Sequence, residues 1–490
     1  MESSSRIKRR HVVAMPFPGR GHINPMMNFC KLLTTKFSGK DDIRITFVVT
    51  EEWIGFLESS STESTLPAQI QLRSIPNVIP SELVRGLDHA GFLEAVYTKM
   101  EAPFEQFLDQ LQQNDDSGVA VTAIITDTLL PCAVFAGSRR NIPVASFWPM
   151  SASVFSIFYH VDLLAQNGHY PIDFSSGLLD ELIDYIPGVS PIRLADLPPP
   201  LDHSREQTLR GLLAGVSAVR KAKCLLITTH HELEPQVTET LMEILPVPVY
   251  PVGPSIPFSI SLADGRDTIT KMHKHVNMEE HKYLKWLDCQ PDNSVLFVSF
   301  GSFLSTSSEQ MEEILAGLLK SGVRYLLVLR GGQDETTISA ADLDSGNEMA
   351  NAQSCVVPWC EQLRVLCHSS VGGFWTHCGW NSTLEGVYAG VPMLTFPVGL
   401  DQPTNSKLIV DDWENGMKVM KEVGANRLVK RDAIAMTVKK FMNSNGDNEE
   451  SRKMRTAANE LKESCRKALA KGGSSDININ EFIKTVLKVA

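Results

Sequence analysis

Long uncharged runs, clustered positive charge and paired cysteine spacings are all scarce in this sequence. One span of membrane length, Asn141 to Val161, lacks Lys, Arg, Asp and Glu, but it holds Pro143, Pro149 and four serines. Prolines and serines at that density argue against a spanning helix. Basic residues cluster no further than Arg6 to Arg10, which reads as a solvated tail, and the net charge is −11. A nucleic-acid partner would need a broad basic surface, so that class is set aside. The nine cysteines form no Cys-x-x-Cys pair and suit reduced thiols in a reducing compartment. Ser3 to Arg10 is polar and basic, unlike a secretory leader. The one Asn-x-Ser/Thr sequon, Asn381-Ser382-Thr383, falls in the richest candidate site, where a glycan would block function. A cytoplasmic protein with no transmembrane segment is expected.

What is present points to a large α/β protein. With 490 residues, 43% of them hydrophobic, the chain is long enough for two or three domains with sizeable cores. Short β-branched runs alternate with helical patterns. Val12–Met15, Ile43–Val49, Val121–Thr126, Val144–Phe147 and Cys224–Thr228 read as strands. Met26–Phe37 reads as a helix opening at Pro25, a favourable first helical position. The pattern restarts with Val295–Ser299, Tyr325–Leu329, Cys355–Val357, Val371–Phe374 and Met393–Phe396. Strand–helix–strand units at this spacing predict right-handed crossovers and parallel sheets, hence two doubly wound halves. The join is placed at residues 253–286, a stretch with Gly253, Pro254, Pro257 and Gly265.

A doubly wound sheet binds ligands beyond the carboxyl ends of its strands. Two polar residues fall there in the first half. His22 sits in Pro18-Gly19-Arg20-Gly21-His22, after the first strand, and Asp127 directly follows another. A carboxylate holding one imidazole nitrogen leaves the other free to take a proton from a hydroxyl. Either residue can also be structural, the Asp as a helix cap. A dinucleotide fingerprint is the competing reading. Glu51 and Glu52 lie at a distance suited to a ribose contact, but Asn24 stands where the third glycine belongs.

In the second half, Trp359 to Gln402 concentrates reactive residue types around Thr376-His377-Cys378-Gly379-Trp380-Asn381-Ser382-Thr383-Leu384-Glu385-Gly386. The segment reads as a strand-to-helix turn, whose free N–H groups and dipole form an anion site. His377 could add charge to a phosphate there, and Phe300-Gly301-Ser302 reads as a second phosphate loop. The bland alternative is that Ser382-x-x-Glu385 is a capping box closing the helix. Cys360, Cys367, His368, His377 and Cys378 fit no zinc spacing, and Asp342-x-Asp344 is a short acidic match in a polar stretch.

Taken together, Trp359–Gln402 resembles the 44-residue signature box of the plant secondary-product glycosyltransferases, the UDP-sugar-dependent family 1 enzymes. The resemblance extends from Pro16-Phe17-Pro18-Gly19-Arg20-Gly21-His22-Ile23-Asn24-Pro25, through Val298-Ser299-Phe300-Gly301-Ser302, to Gly472-Gly473-Ser474-Ser475. It implies a GT-B arrangement, two Rossmann-like doubly wound domains facing across a cleft. The implied layout is an acceptor domain over 1–252, a UDP-sugar domain over 287–472 and a C-terminal helix over 473–490 that packs back on the first domain. It implies His22 and Asp127 as the catalytic pair. Trp359 would stack on uracil, Gln362 bond its edge and Glu385 hold the ribose. His377, Asn381, Ser382 and Ser302 would bind the diphosphate, and Trp380, Asp401 and Gln402 the sugar. Such enzymes are inverting and need no metal or other cofactor. The donor would be UDP-glucose and the acceptor a small lipophilic plant metabolite, flavonoids or other phenols first, with Phe17, Phe92, Trp148, Met150 and Phe155 as candidate acceptor contacts. A monomer is expected. Glu361 and Phe396 depart from the commoner Pro and Trp. Glu361, together with Thr50-Glu51-Glu52-Trp53, brings the chain nearest the subgroup numbered 87. A non-catalytic binding protein on the same fold is the alternative of another class, and the presence of both His22 and Asp127 weighs against it.

Overall fold

The first strand, β1 (Arg10–Met15), is buried along nearly its whole length, as a central strand covered on both faces must be. It pairs in parallel with β2 (Ile43–Thr50) and with β4 (Ala123–Asp127). With β3 (Ile70–Ile75), β5 (Val144–Trp148), β8 (Cys224–Ile227) and β9 (Val249–Pro251) they form a seven-stranded parallel sheet of order β3-β2-β1-β4-β5-β8-β9. A short antiparallel pair, β6 (Leu182–Ile183) and β7 (Ile192–Arg193), lies beside it. The second sheet holds β10 (Val295–Ser299), β11 (Arg324–Val328), β12 (Ser354–Val357), β13 (Val371–Thr376), β14 (Met393–Thr395) and β15 (Gly416–Lys418). Its order is β12-β11-β10-β13-β14-β15, again parallel throughout. The computed structural model describes residues 10–37, 43–59, 66–83, 85, 88–114, 120–173, 177–202, 206–256, 278–301, 307–329, 353–419, 428–443 and 449–488.

In each sheet the strand order reverses at one place, between β1 and β4 in the first and between β10 and β13 in the second. These switch points are where doubly wound sheets open a crevice. His22 and Asp127 follow β1 and end β4. Gly301 and His377 follow β10 and β13. The topology therefore sets the two candidate sites at equivalent places in the two halves.

Four apolar clusters fill the faces of the two sheets. The cluster on one face of the first sheet includes Ile479, Phe482 and Ile483 from the helix Ser474–Thr485. Phe482 is fully buried, with its ring 5.9 Å from that of Phe29. One such side chain contributes about 1.5–3 kcal/mol, so the end of the chain is held on the first half. Residues 257–277 of the expected join lie outside the described residues. The helix Met278–Asp288, read with the join in the sequence, places Tyr283, Trp286 and Leu287 in the core of the second half.

Two sequence expectations change here. The first helix runs Arg20–Thr35, so it begins ahead of Pro25 and carries that proline inside. Trp148 and Phe155 are fully buried, packed edge-to-face at 5.2 Å, with Trp148 Nε1 donating to the Ser151 carbonyl at 2.9 Å. With Phe92, equally buried in the same cluster, they are core residues rather than free pocket surface. The uncharged Asn141–Val161 span resolves into β5 and the helix Ala152–Tyr159. Among the described residues no helix is long and apolar enough to cross a membrane.

Candidate active site

Gly19 is extended and caps the first helix without a side-chain bond, and the His22 N–H donates to the Gly19 carbonyl at 2.9 Å. His22 therefore stands on the opening helical turn, aimed over the end of β4. Its Nδ1 lies 2.8 Å from Asp127 Oδ2. Asp127 is buried, and its other oxygen accepts the Leu129 N–H at 2.9 Å, so the carboxylate is fixed from both sides. An acceptor-only carboxylate keeps the proton on Nδ1 and leaves the Nε2 lone pair free. The His22 side chain is 20% exposed, enough to meet a substrate. Phe17 covers one side of it, with ring centroids 4.9 Å apart, and Phe92 backs Phe17 at 6.2 Å. Met150 is half-buried against the same cluster. Sequence reasoning missed Arg85. It donates to the Pro18 carbonyl at 3.1 Å and lies 5.3 Å over Phe92, bracing the turn that precedes His22.

Across the cleft, the helix Trp380–Ala389 opens at Gly379 with no side-chain cap. The capping-box reading fails. Ser382 lies inside the first turn and its hydroxyl accepts from Gln362 Nε2 at 2.9 Å, while Glu385 accepts from the same nitrogen at 2.7 Å. The first N–H groups thus stay free for an anion. Burial pushes the Glu385 carboxyl up to about 7, opposed by the Gln362 bond. Trp359 is 52% exposed, unusual for a tryptophan, and offers an open ring face.

His377 follows β13 and is half-buried beneath Gly301 and Gly379, with its Nδ1 fully enclosed. Burial lowers its pKa to about 4, against a bond to the Ser299 backbone. That burial favours the neutral ring near pH 7. The neutral ring can serve a diphosphate as an N–H donor. Among the described residues His377 Nδ1, Trp380 Nε1 and Asn381 Oδ1 are buried without hydrogen-bond partners. Each orphaned group costs about 1–3 kcal/mol, and three around one helix start fit a polar ligand. Ser302 and the Asp342-x-Asp344 pair lie outside the described residues.

Asp401 and Gln402 open the helix Gln402–Lys407. Burial raises the Asp401 carboxyl, which accepts from Asn405 Nδ2 at 2.7 Å; His22 is near enough for its charge to act on it. Gln402 Oε1 accepts from the Val398 and Gly399 N–H groups at 2.7 and 3.0 Å. Its oxygen is committed to that turn, so only the amide NH₂ faces other partners. Asn405 was missed in the sequence. It also donates to the Cys378 carbonyl at 2.9 Å, and its i,i+4 spacing from Asp401 was the available signal. Among the described residues no three His, Cys, Asp or Glu side chains gather as a metal site.

The profile of the UDP-glucoronosyl and UDP-glucosyl transferase family matches residues 217–448. UDP-glycosyltransferase 87A2 of Arabidopsis thaliana is 45% identical over 97% of this chain and 97% of its own length. The chain belongs to the UDP-glycosyltransferase family. Another relative, UDP-glycosyltransferase 87A1 of the same plant, is 46% identical over 97% of this chain and all of its own. Among solved structures, Phytolacca americana UGT2 complexed with UDP-2fluoro-glucose and pterostilbene superposes with a TM-score of 0.75 at 27% identity, covering 98% of this chain and 100% of that one. Os79 from O. sativa, in complex with U2F and trichothecene, does so at 0.76 and 26%, covering 96% and 99%. As a UDP-glycosyltransferase of the GT-B fold, the protein is an enzyme that uses a UDP-sugar donor.

Proposed function

We propose that the enzyme transfers glucose from UDP-glucose to a hydroxyl or carboxyl group of a small lipophilic plant metabolite, with inversion, in the cytoplasm. Flavonoids and related phenols are the favoured acceptors. The observation that carries this reading is the 2.8 Å His22–Asp127 pair, set at one switch point and facing the uncapped helix start at the other. In the proposed step, His22 Nε2 takes the acceptor proton as the acceptor oxygen attacks the anomeric carbon. The bond from that carbon to the diphosphate oxygen breaks, and its electron pair leaves with UDP. Asp127 stabilises the imidazolium. Attack opposite the leaving group turns an α-linked donor into a β-glucoside. The helix N–H groups and neutral His377 hold the developing charge on the diphosphate, so no metal is required in this scheme.

Mutating the base tests the reading. His22→Ala should retain UDP binding and fold while turnover of an unactivated phenol falls by roughly 10²- to 10⁴-fold. Unchanged turnover would overturn the assignment. A second acceptor class, terpenoid or hormone alcohols, is favoured by likeness to 7-deoxyloganetin glucosyltransferase of Catharanthus roseus, 32% identical over 99% of this chain. An acceptor-library screen read by mass spectrometry separates the two.

A further inference from the structure

The inside position of Pro25 has a consequence for the base. Proline has no N–H, and its ring crowds the carbonyl four residues earlier. In the first helix that carbonyl belongs to Gly21, which is left without its intrahelical donor. Asn381, the second residue of the helix Trp380–Ala389, supplies one from the other half of the molecule. Its Nδ2 donates to the Gly21 oxygen at 2.8 Å. That oxygen is part of the peptide unit joining Gly21 to His22. Because the unit is planar, holding its oxygen orients the Cα of His22 from behind, while Asp127 holds the ring from the front. The base is thus anchored once by its own sheet and once by the opposite half.

We infer that Asn381 is a positioning residue for His22, acting through the carbonyl that Pro25 leaves free, and so fixes the base relative to the diphosphate end of the donor. The inference rests on the reading of His22 as the base. It adds a role for Asn381 distinct from any contact with the donor, and it gives Pro25 a part in turnover. A base held from both sides keeps the near-attack geometry on which proximity depends.

The test is Pro25→Ala, which returns an N–H to the helix for the Gly21 carbonyl and competes with Asn381. Pro25→Ser carries the same N–H and serves if the alanine variant expresses poorly. With an unactivated hydroxyl acceptor, kcat should fall roughly tenfold, less than the ~10²-fold that an ångström of misplacement costs. UDP affinity and both KM values should stay within about twofold on that account. With an acidic phenol already ionised at the assay pH, the loss should vanish, because no proton has to be taken. Asn381→Ala should then cost a smaller factor in kcat on the Pro25→Ala background than on the native one, since both act through one carbonyl. Additive losses, or an equal loss with both acceptor types, would overturn the inference. His22→Ala run alongside separates the two failures. If that variant retains turnover, the base assignment itself falls; if it loses turnover while Pro25→Ala does not, only the Asn381 link falls.

Discussion

Glu385 as a ribose ligand would give UDP binding a pH dependence. Its carboxyl is raised from the ordinary 4.5 to about 7 by burial. A group raised on folding contributes stability that is fully present below its unfolded value and is lost as pH rises through about 7. If ribose hydroxyls donate to the ionised carboxylate, donor binding should run the other way. UDP affinity should weaken by up to about tenfold per unit as pH falls below about 7, and Glu385→Gln should make it weak and flat. Calorimetric titration from about pH 5.5 to about pH 8 checks this; a native profile as flat as the variant's would remove Glu385 from the ribose. At the sugar end, the commitment of the Gln402 oxygen to Val398 and Gly399 leaves one donor NH₂ beside the Asp401 acceptor. A pocket that pairs the glucose 4-hydroxyl in this way leaves a polar group unpaired with galactose, at about 1–3 kcal/mol. Competition kinetics should show UDP-glucose preferred by at least about tenfold in kcat/KM, and equal use would remove the preference. That Gln362, Ser382, Glu385, Asp401 and Gln402 lie close to one helix start was legible in the sequence because the box gathers them in one segment. The neutrality of His377 and the fixed Gln402 oxygen were not, because burial and backbone partners come from segments distant in the chain.

At the scale of elements, the central strands were readable as β-branched runs. In the two parallel sheets the ones missed were β3, β9 and β15, all edge strands, and the short β6–β7 pair was missed as well. β9 lies in a proline-rich stretch, β15 has three residues and β3 is partly exposed. Edge strands tolerate all three because one side needs no partner. The start of the first helix was misplaced for a related reason, since proline is usual at a helix's first position and here lies inside it. Two glycines belong to this scale because they let His377 sit where two elements meet. A Cβ on Gly379 would lie 2.5 Å from His377 Nε2, and one on Gly301 2.6 Å. Gly379 has an ordinary backbone conformation, whereas Gly301 has φ +79°. Gly379→Ala should therefore push the ring aside at little backbone cost and weaken UDP binding by about tenfold or more, the loss of one well-placed hydrogen bond. Gly301→Ala should add about 1–2 kcal/mol of left-handed strain and lower the melting temperature as well. Calorimetry and thermal unfolding on both variants check the pair of expectations; native UDP affinity in Gly379→Ala would show that the ring has room to move.

The whole molecule depends on how the two halves meet, and the contacts beside Asp401 and Gln402 are polar. Asp196, from the first half, is 1% exposed. Its carboxylate accepts from Arg193 Nε at 2.8 Å and from Lys418 Nζ, on β15 of the second half, at 3.2 Å. Its carbonyl accepts from Thr404 Oγ1 at 2.8 Å, and Thr404 lies on the helix that Asp401 and Gln402 open. Close by, Lys407 of that helix bonds Ser190 and Asp412, and Ser190 donates to Asp412 at 2.8 Å. The helix that Asp401 and Gln402 open is thus held against the first half through the Asp196 carbonyl, and β15 through its carboxylate. None of this was legible in the sequence, since residues 196, 404 and 418 meet only once both sheets are built. Removing one partner of a buried ion pair costs about 3–5 kcal/mol, because the remaining charges lose their compensation. Asp196→Ala should therefore lower the melting temperature through Arg193 and Lys418, while the Thr404 bond to its backbone carbonyl remains. Thr404→Val, which removes the bond from the Gln402–Lys407 helix to the first half and no charge, should cost only about 1 kcal/mol but raise the donor KM. Lys418→Ala should couple to Asp196→Ala, the double variant being less impaired than the sum of the two. His22 and Asp127 lie at the other switch point, so turnover at saturating donor should change far less than donor KM. Thermal unfolding and donor-saturation kinetics on the three single variants and the double decide it: an unchanged donor KM in Thr404→Val would mean that Asp401 and Gln402 keep their places without this contact to the first half.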